Sequence, residues 1–333
     1  MTKYLFTLLL IEAISCSADF TRTPFYKGVN LVGTSQVQKS DIYDDLIKVK
    51  VNSVSIVPFA YGNSNSGELT IKTDLQWWGE SIEGSKELAK MAKEKGMKVM
   101  LKPQIWFDGG RYTGNVNLES EEKWKRFENS YEEYILHHAK SASDLELDVF
   151  CIGTELKEFV LNRPAFWKEL IFKVKAIYKG KLTYAGNWDS YKLMPFWEEL
   201  DYIGVDAYFP LSDSDTPTVE EVKDGWSGPI AELKEISETN NKKILFCEFG
   251  FRSISKCGMK PWVSDRGGEL NLIAQRNCYQ GTFESVWTEP FMAGGFLWKW
   301  YPDHEKYGGP RCKRFTPQNK PSQQIISDFF SRK

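Results

Sequence analysis

Short, almost wholly apolar runs recur along the chain, each separated from the next by a stretch with apolar positions at helical spacing. The runs fall at 26–32, 53–59, 98–105, 148–154, 181–185, 202–208, 243–249 and 294–300. Their apolarity is continuous rather than alternating, which predicts strands covered on both faces. Helical patterns lie at 41–51, 81–95, 119–143, 164–178, 193–200, 219–240, 269–288 and 322–330. Gly96 and Gly180 stand where two of them should stop, and Pro164 where one should start. Eight strands alternating with eight helices, with no internal repeat and no linker, predict an α/β chain: a single-domain (β/α)₈ TIM barrel over 24–333. An open doubly wound sheet is the alternative.

Loop lengths orient the barrel. The turns from helix to strand are tight (95–97, 179–181, 240–242), whereas the connections from strand to helix are long (60–80, 106–118, 209–218, 251–268, 301–321). Barrel enzymes work from the C-terminal ends of their strands, where those long loops gather. Composition sharpens this reading. Aromatic residues make up 14% of the chain, with 12 Trp, and many fall in the loops: Tyr61, Trp77, Trp78, Trp106, Tyr112, Trp188, Trp262 and Tyr301. Flat rings around a cleft suit the apolar faces of sugars. The net charge of −2 offers no broad basic face, so no nucleic acid is expected.

Two acids close apolar runs. Glu155 follows the fourth run and Glu248 lies in the seventh, after Ile244-Leu245-Phe246-Cys247. A buried carboxylate is costly unless it is paired or has a task. The bland alternative is ion pairing with Lys102 or Arg252. Two acids on the fourth and seventh strands, among tryptophans, point instead to a retaining glycosidase, whose carboxyls stand about 5–5.5 Å apart. Such chemistry needs one acid ionised and one protonated. Arg252 and Tyr208 beside Glu248 would keep it charged, and apolar surroundings would raise the proton affinity of Glu155. Glu158, Asp189 and Asp206 are weaker candidates. Trp298 could form the floor under the reacting sugar, and Trp106, Asn187 and Trp188 could line flanking subsites. Lys102 is either a sugar donor or a structural ion-pair partner. Trp77 and Trp78 are either a distal platform or a loop anchor.

Residues 1–18 carry a short apolar stretch after Lys3 and end in small residues, the layout of an export signal. Ala-Ile-Ser-Cys also resembles a bacterial lipoprotein box, with Cys16 as the lipid-bearing residue. A secreted or membrane-anchored product is expected. Export would permit one disulfide among Cys257, Cys278 and Cys312, while Cys151 and Cys247 read as core. The three His and six Cys show no metal-ligand spacing.

Several segments resemble glycoside hydrolase family 113, the β-mannanase family. They are Gly28-Val29-Asn30, Leu101-Lys102-Pro103-Gln104-Ile105-Trp106, Gly153-Thr154-Glu155-Leu156 and Asp206-Ala207-Tyr208. Further ones are Glu248-Phe249-Gly250-Phe251-Arg252-Ser253, Phe296-Leu297-Trp298-Lys299-Trp300-Tyr301-Pro302 and Phe315-Thr316-Pro317-Gln318. The resemblance implies cleavage of β-1,4-mannosidic bonds in mannan or glucomannan with retention and without cofactor or metal. It implies Glu155 as acid/base and Glu248 as nucleophile. Candidate sugar-binding residues are Asn30, Lys102, Gln104, Trp106, Asn187, Trp188, Tyr208, Arg252 and Trp298, and a monomer is expected. Thr154 stands where much of the wider clan has Asn. Another β-glycan (glucan, xylan, an amino sugar) and a non-hydrolytic glycan-binding barrel remain the alternatives.

Overall fold

The computed structural model describes residues 25–73, 76–265 and 267–332. The export leader expected over 1–18, with Cys16, lies outside the described residues. The strands in chain order are β1 (Tyr26–Leu31), β2 (Ser53–Ile56), β3 (Phe59–Asn63), β4 (Glu68–Thr70), β5 (Lys98–Leu101) and β6 (Gln104–Phe107). They continue with β7 (Val149–Thr154), β8 (Lys181–Asn187), β9 (Tyr202–Asp206), β10 (Lys243–Phe249) and β11 (Met292–Trp300). Eight of them close a parallel barrel in the order β1-β11-β10-β9-β8-β7-β5-β2. Around it, among the described residues, lie α1 (Asp44–Lys48), α2 (Ile82–Glu94), α3 (Glu121–Asp144), α4 (Lys157–Asn162), α5 (Pro164–Ile177), α6 (Val219–Asn240), α7 (Leu272–Glu284) and α8 (Pro321–Ser331). This is a single-domain (β/α)₈ barrel. None of the described helices is long and apolar enough to cross a membrane.

Each barrel strand is buried twice over, which is why its sequence lacks alternation. In β7, Val149 and Cys151 face the barrel interior with Met100, Leu245, Cys247 and Phe296. Phe150 and Ile152 face outward to the helix layer, with Trp167 and Leu170. Gly28 on β1 is needed for this interior: a Cβ there would sit 2.3 Å from the Phe296 ring. Local signals set the helix starts. Ser81 accepts from the Gly84 N–H at 3.0 Å and Ser120 from the Lys123 N–H at 3.2 Å. Thr218 and Glu221 form a reciprocal capping box on α6.

Three departures from the sequence reading have physical causes. Pro58 and Pro103 supply no N–H to a ladder, so β2 and β5 end before them rather than running through 53–59 and 98–105. The two chains then re-pair above the barrel as β3 and β6, with Tyr61 opposite Trp106. The hairpin strand β4 completes this small sheet. The helix expected at 193–200 is instead two 3₁₀ turns, Tyr191–Leu193 and Trp197–Glu199, interrupted by Pro195. The disulfide considered among Cys257, Cys278 and Cys312 is not formed: all three are thiols, with the Cys257 and Cys278 sulfurs 3.6 Å apart. Cys151 and Cys247 are fully buried.

Candidate active site

The C-terminal ends of the barrel strands open into a cleft of about 1170 Å³, and both Glu155 and Glu248 line it. Glu155 follows β7 in the left-handed region, at φ 53°. For a side chain with a Cβ this costs about 1 kcal/mol or more. The turn is pinned on both sides: the Glu155 N–H donates to the Ala185 carbonyl at 2.8 Å, and the Leu156 N–H to the Tyr184 hydroxyl at 2.7 Å. Glu248 comes from β10, next to Asp206 of β9 in register.

The two carboxyls have opposite surroundings. Three donors converge on Glu248. Lys102 Nζ and Gln104 Nε2 both donate to Oε1, the latter at 2.8 Å, and the Tyr208 hydroxyl donates to Oε2 at 2.8 Å. Burial draws the Lys102 pKa down, but the Glu248 charge, the hydrogen bond to it and the neighbouring Asp206 together outweigh burial and hold it cationic. This is the donor set of a carboxylate anion. No cation among the described residues is bonded to Glu155. Burial, and then the charge of Glu248, pushes its pKa up to about 8, against smaller opposing effects of Lys102 and of the neighbouring Tyr112 hydroxyl. One acid is therefore kept protonated near neutrality by surrounding protein and by the field of the other.

Asp206, at 0% exposure, lies beneath them, with no hydrogen-bond partner for either carboxyl oxygen among the described residues. Burial, followed by the Glu248 charge, raises its pKa well above the carboxylate range, so it sits neutral. Asp189 does line the cleft. Glu158 pairs with Lys157 at 3.7 Å on α4 and does not.

Seven of the nine candidate sugar-binding residues line the cleft: Gln104, Trp106, Asn187, Trp188, Tyr208, Arg252 and Trp298. Trp106 is 53% exposed and stacks on Phe59 at 5.6 Å, held there by the β3–β6 pairing. Trp188 stacks on Trp262 at 5.0 Å. Two placements and one expected contact need correction. Asn30 is buried away from the cleft, its amide donating to the Cys247 and Phe296 carbonyls at 3.0 and 3.2 Å; it ties β1 to β10 and β11. Lys102 is wholly buried and takes the ion-pair role with Glu248 instead of reaching the cleft. Arg252 lines the cleft but does not touch Glu248; it donates to Asp265 at 3.0 Å and to the Gly267 carbonyl at 2.6 Å. Trp77 and Trp78 do not line the cleft, and the Gly79 N–H beside them anchors their loop to the Thr34 carbonyl at 2.9 Å.

Tyr112, Trp262, Asp265, Lys299 and the segment 311–316 also line the cleft and were not among the sequence candidates for binding. Tyr112 and Trp262 were visible only as loop aromatics. Their convergence depends on how three long loops fold over one another, which no periodicity records.

No curated protein sequence matches the chain. Among solved structures, the GH113 β-mannanase AaManA from Alicyclobacillus acidocaldarius, in complex with ManMIm, superposes with a TM-score of 0.81 at 24% identity, covering 92% of this chain and 97% of that one. A second GH113 β-1,4-mannanase, also a complex, gives 0.80 at 23% identity, with 93% and 100% covered. A Faecalibacterium prausnitzii β-glucuronidase shares the barrel at 0.63 and 12% identity, over 92% of this chain and 49% of that one. The family model of glycoside hydrolase family 113 matches residues 34–314, spanning both strand-end acids, and the chain is a glycoside hydrolase belonging to that family.

Proposed function

We propose that the protein is a retaining endo-β-mannanase acting on β-1,4-linked mannan or glucomannan by double displacement. The observation that carries the reading is the pairing in one cleft of a triply donated carboxylate, Glu248, with an acid, Glu155, whose pKa is about 8. Glu248 attacks the anomeric carbon while Glu155 gives its proton to the departing oxygen. Glu155 then takes a proton from water, which attacks the same carbon and releases Glu248. Two inversions leave the β-configuration retained. The mannan preference is supported by family membership and by the two similar structures, both β-mannanases. Thr154 lines the cleft beside Glu155, and its buried Oγ1 has no partner among the described residues. The leader read at 1–18 suits an enzyme that meets such polymers outside the cell.

Reducing-sugar release from mannan, glucomannan, cellulose and xylan tests the substrate. Release from the two mannose-containing polymers alone is expected. Release from cellulose or xylan alone would reassign the sugar, and none from any would overturn the reading. Tyr208→Phe removes one charge-assisted hydrogen bond from Glu248, worth ~1.5–3 kcal/mol. The kcat on mannan should therefore fall by about 10- to 100-fold. An unchanged kcat would remove Tyr208 from the mechanism.

A further inference from the structure

We propose that the wall of the cleft formed by the end of β11 and the segment 311–314 is a subsite for an anionic group, a carboxylate or a sulfate ester, carried by the glycan. The inference rests on the glycoside hydrolase reading and specifies the substrate of that same cleft. Lys299, Arg311, Lys313 and Arg314 all line this wall. None of the four forms an ion pair among the described residues. Other cations nearby do: Arg252 with Asp265 at 3.0 Å, and Lys306 with Asp303.

Lys299 is the inner member. Its Nζ lies 5.1 Å from the centre of the Trp298 ring and 5.8 Å from that of Tyr301. Burial lowers its pKa, and the like charge of Arg314 adds to this, against the opposing charges of Glu248 and Glu80. Glu80 is itself drawn toward the neutral form by burial and accepts from the Tyr61 hydroxyl at 3.4 Å. Arg314 is the outer, exposed member, with the Tyr301 hydroxyl among its neighbours.

The segment is anchored. Lys313 Nζ donates to the Gly268 carbonyl at 2.8 Å, and the buried Lys320 Nζ to the Arg314 carbonyl at 2.8 Å. Ser253 Oγ donates to the Cys312 carbonyl at 2.5 Å. A fixed wall that gathers four cations, none of them in an ion pair among the described residues, is electrostatically unfavourable when empty. An anion removes that repulsion, and a guanidinium takes a carboxylate or sulfate with two parallel hydrogen bonds. A neutral mannan chain would leave all four cations unpaired.

The test is binding to the full-length Glu155→Gln protein, by calorimetry, of three probes with one backbone: neutral manno-oligosaccharides, the same oligosaccharides oxidised to carboxylates at C6, and a sulfated preparation. At low ionic strength an anionic probe should bind at least about tenfold more tightly than the neutral one, and salt should erase the difference. Which anion is preferred assigns the subsite to carboxylate or to sulfate ester. Arg314→Gln, at an exposed position, should reduce the anionic-to-neutral ratio several-fold, and Lys299→Met should do the same. Equal affinity for neutral and charged probes, weaker binding of both charged probes, or a ratio untouched by Arg314→Gln would overturn the proposal. Hydrolysis of the neutral chain by the wild-type protein, run in parallel, tests the glycosidase reading separately. Hydrolysis without anion preference sinks only the subsite, and anion preference without hydrolysis sinks only the mechanism.

Discussion

Glu248→Gln should lower kcat on mannan by a factor on the order of 10⁴ or more, because a neutral amide cannot form the glycosyl ester that the first displacement requires. Substrate binding should change far less, since the amide keeps the volume of the carboxyl: its oxygen can still accept from Lys102 and Gln104, and its NH2 can donate to the Tyr208 hydroxyl oxygen. The substitution has a second consequence that a surface glutamate would lack. Lys102 is 0% exposed, and Glu248 is its ion-pair partner. Removing the carboxylate leaves a buried ammonium without a counter-charge, a loss of about 3–5 kcal/mol in comparable sites. Glu248→Ala should thus be destabilised as well as inactive, and Lys102→Met should be destabilised too. In thermal unfolding, the double variant Lys102→Met/Glu248→Leu should recover part of the stability that either single change loses, because no lone charge remains. An unaltered melting temperature in Glu248→Ala would show that the pair carries no stability.

Glu155→Gln should reduce kcat/KM on unactivated mannan by about 10²- to 10⁴-fold, the range for a general acid. An aryl β-mannoside whose leaving group departs without protonation should lose much less in the first step. It should then accumulate as a glycosyl-enzyme, and added azide should release this intermediate. The pH profile supplies the sign. Glu155 must carry its proton to act as the acid, and that proton is lost as pH rises through about 8. Activity on mannan should therefore hold through neutrality and fall on the alkaline side of about 8. That limb should be absent from the residual activity of Glu155→Gln. Because the Glu248 charge is the second cause of the raised pKa, Glu248→Gln should shift the Glu155 titration, followed by NMR, to lower pH. An alkaline limb that persists in Glu155→Gln would assign the titration to another group.

The barrel was legible because burial on both faces writes itself into β7 and β10 as unbroken apolar runs, and the polar ends of those runs are then conspicuous. Glu155 and Glu248 stood out for this reason. The register of the upper sheet was not legible. Pro58 and Pro103 announce that β2 and β5 cannot continue, but only the three-dimensional proximity of the two chains makes β3 and β6 pair and lift Trp106 to the rim. Lys102 shows a different limit. A lysine inside an apolar run signals a buried partner equally well whether that partner is a sugar or a carboxylate, and the structure assigns it to Glu248. Arg252 lies four residues past Glu248, close enough in sequence to suggest contact. After the strand ends, however, the chain carries it to Asp265 on the same loop. Asn30 was read from its family-like segment rather than from burial, and its amide serves the backbone carbonyls of β10 and β11. Tyr112 and Trp262 lie in long loops where neither period nor capping signals constrain position.

The most direct measurement is to trap the intermediate with a 2-deoxy-2-fluoro-β-mannosyl fluoride and map the labelled peptide by mass spectrometry. The added fluoromannosyl mass should appear once per chain, on the peptide containing Glu248, and Glu248→Gln should take up none. A label on any other carboxylate, or first-formed products of inverted α-configuration with no label at all, would contradict the two-glutamate mechanism.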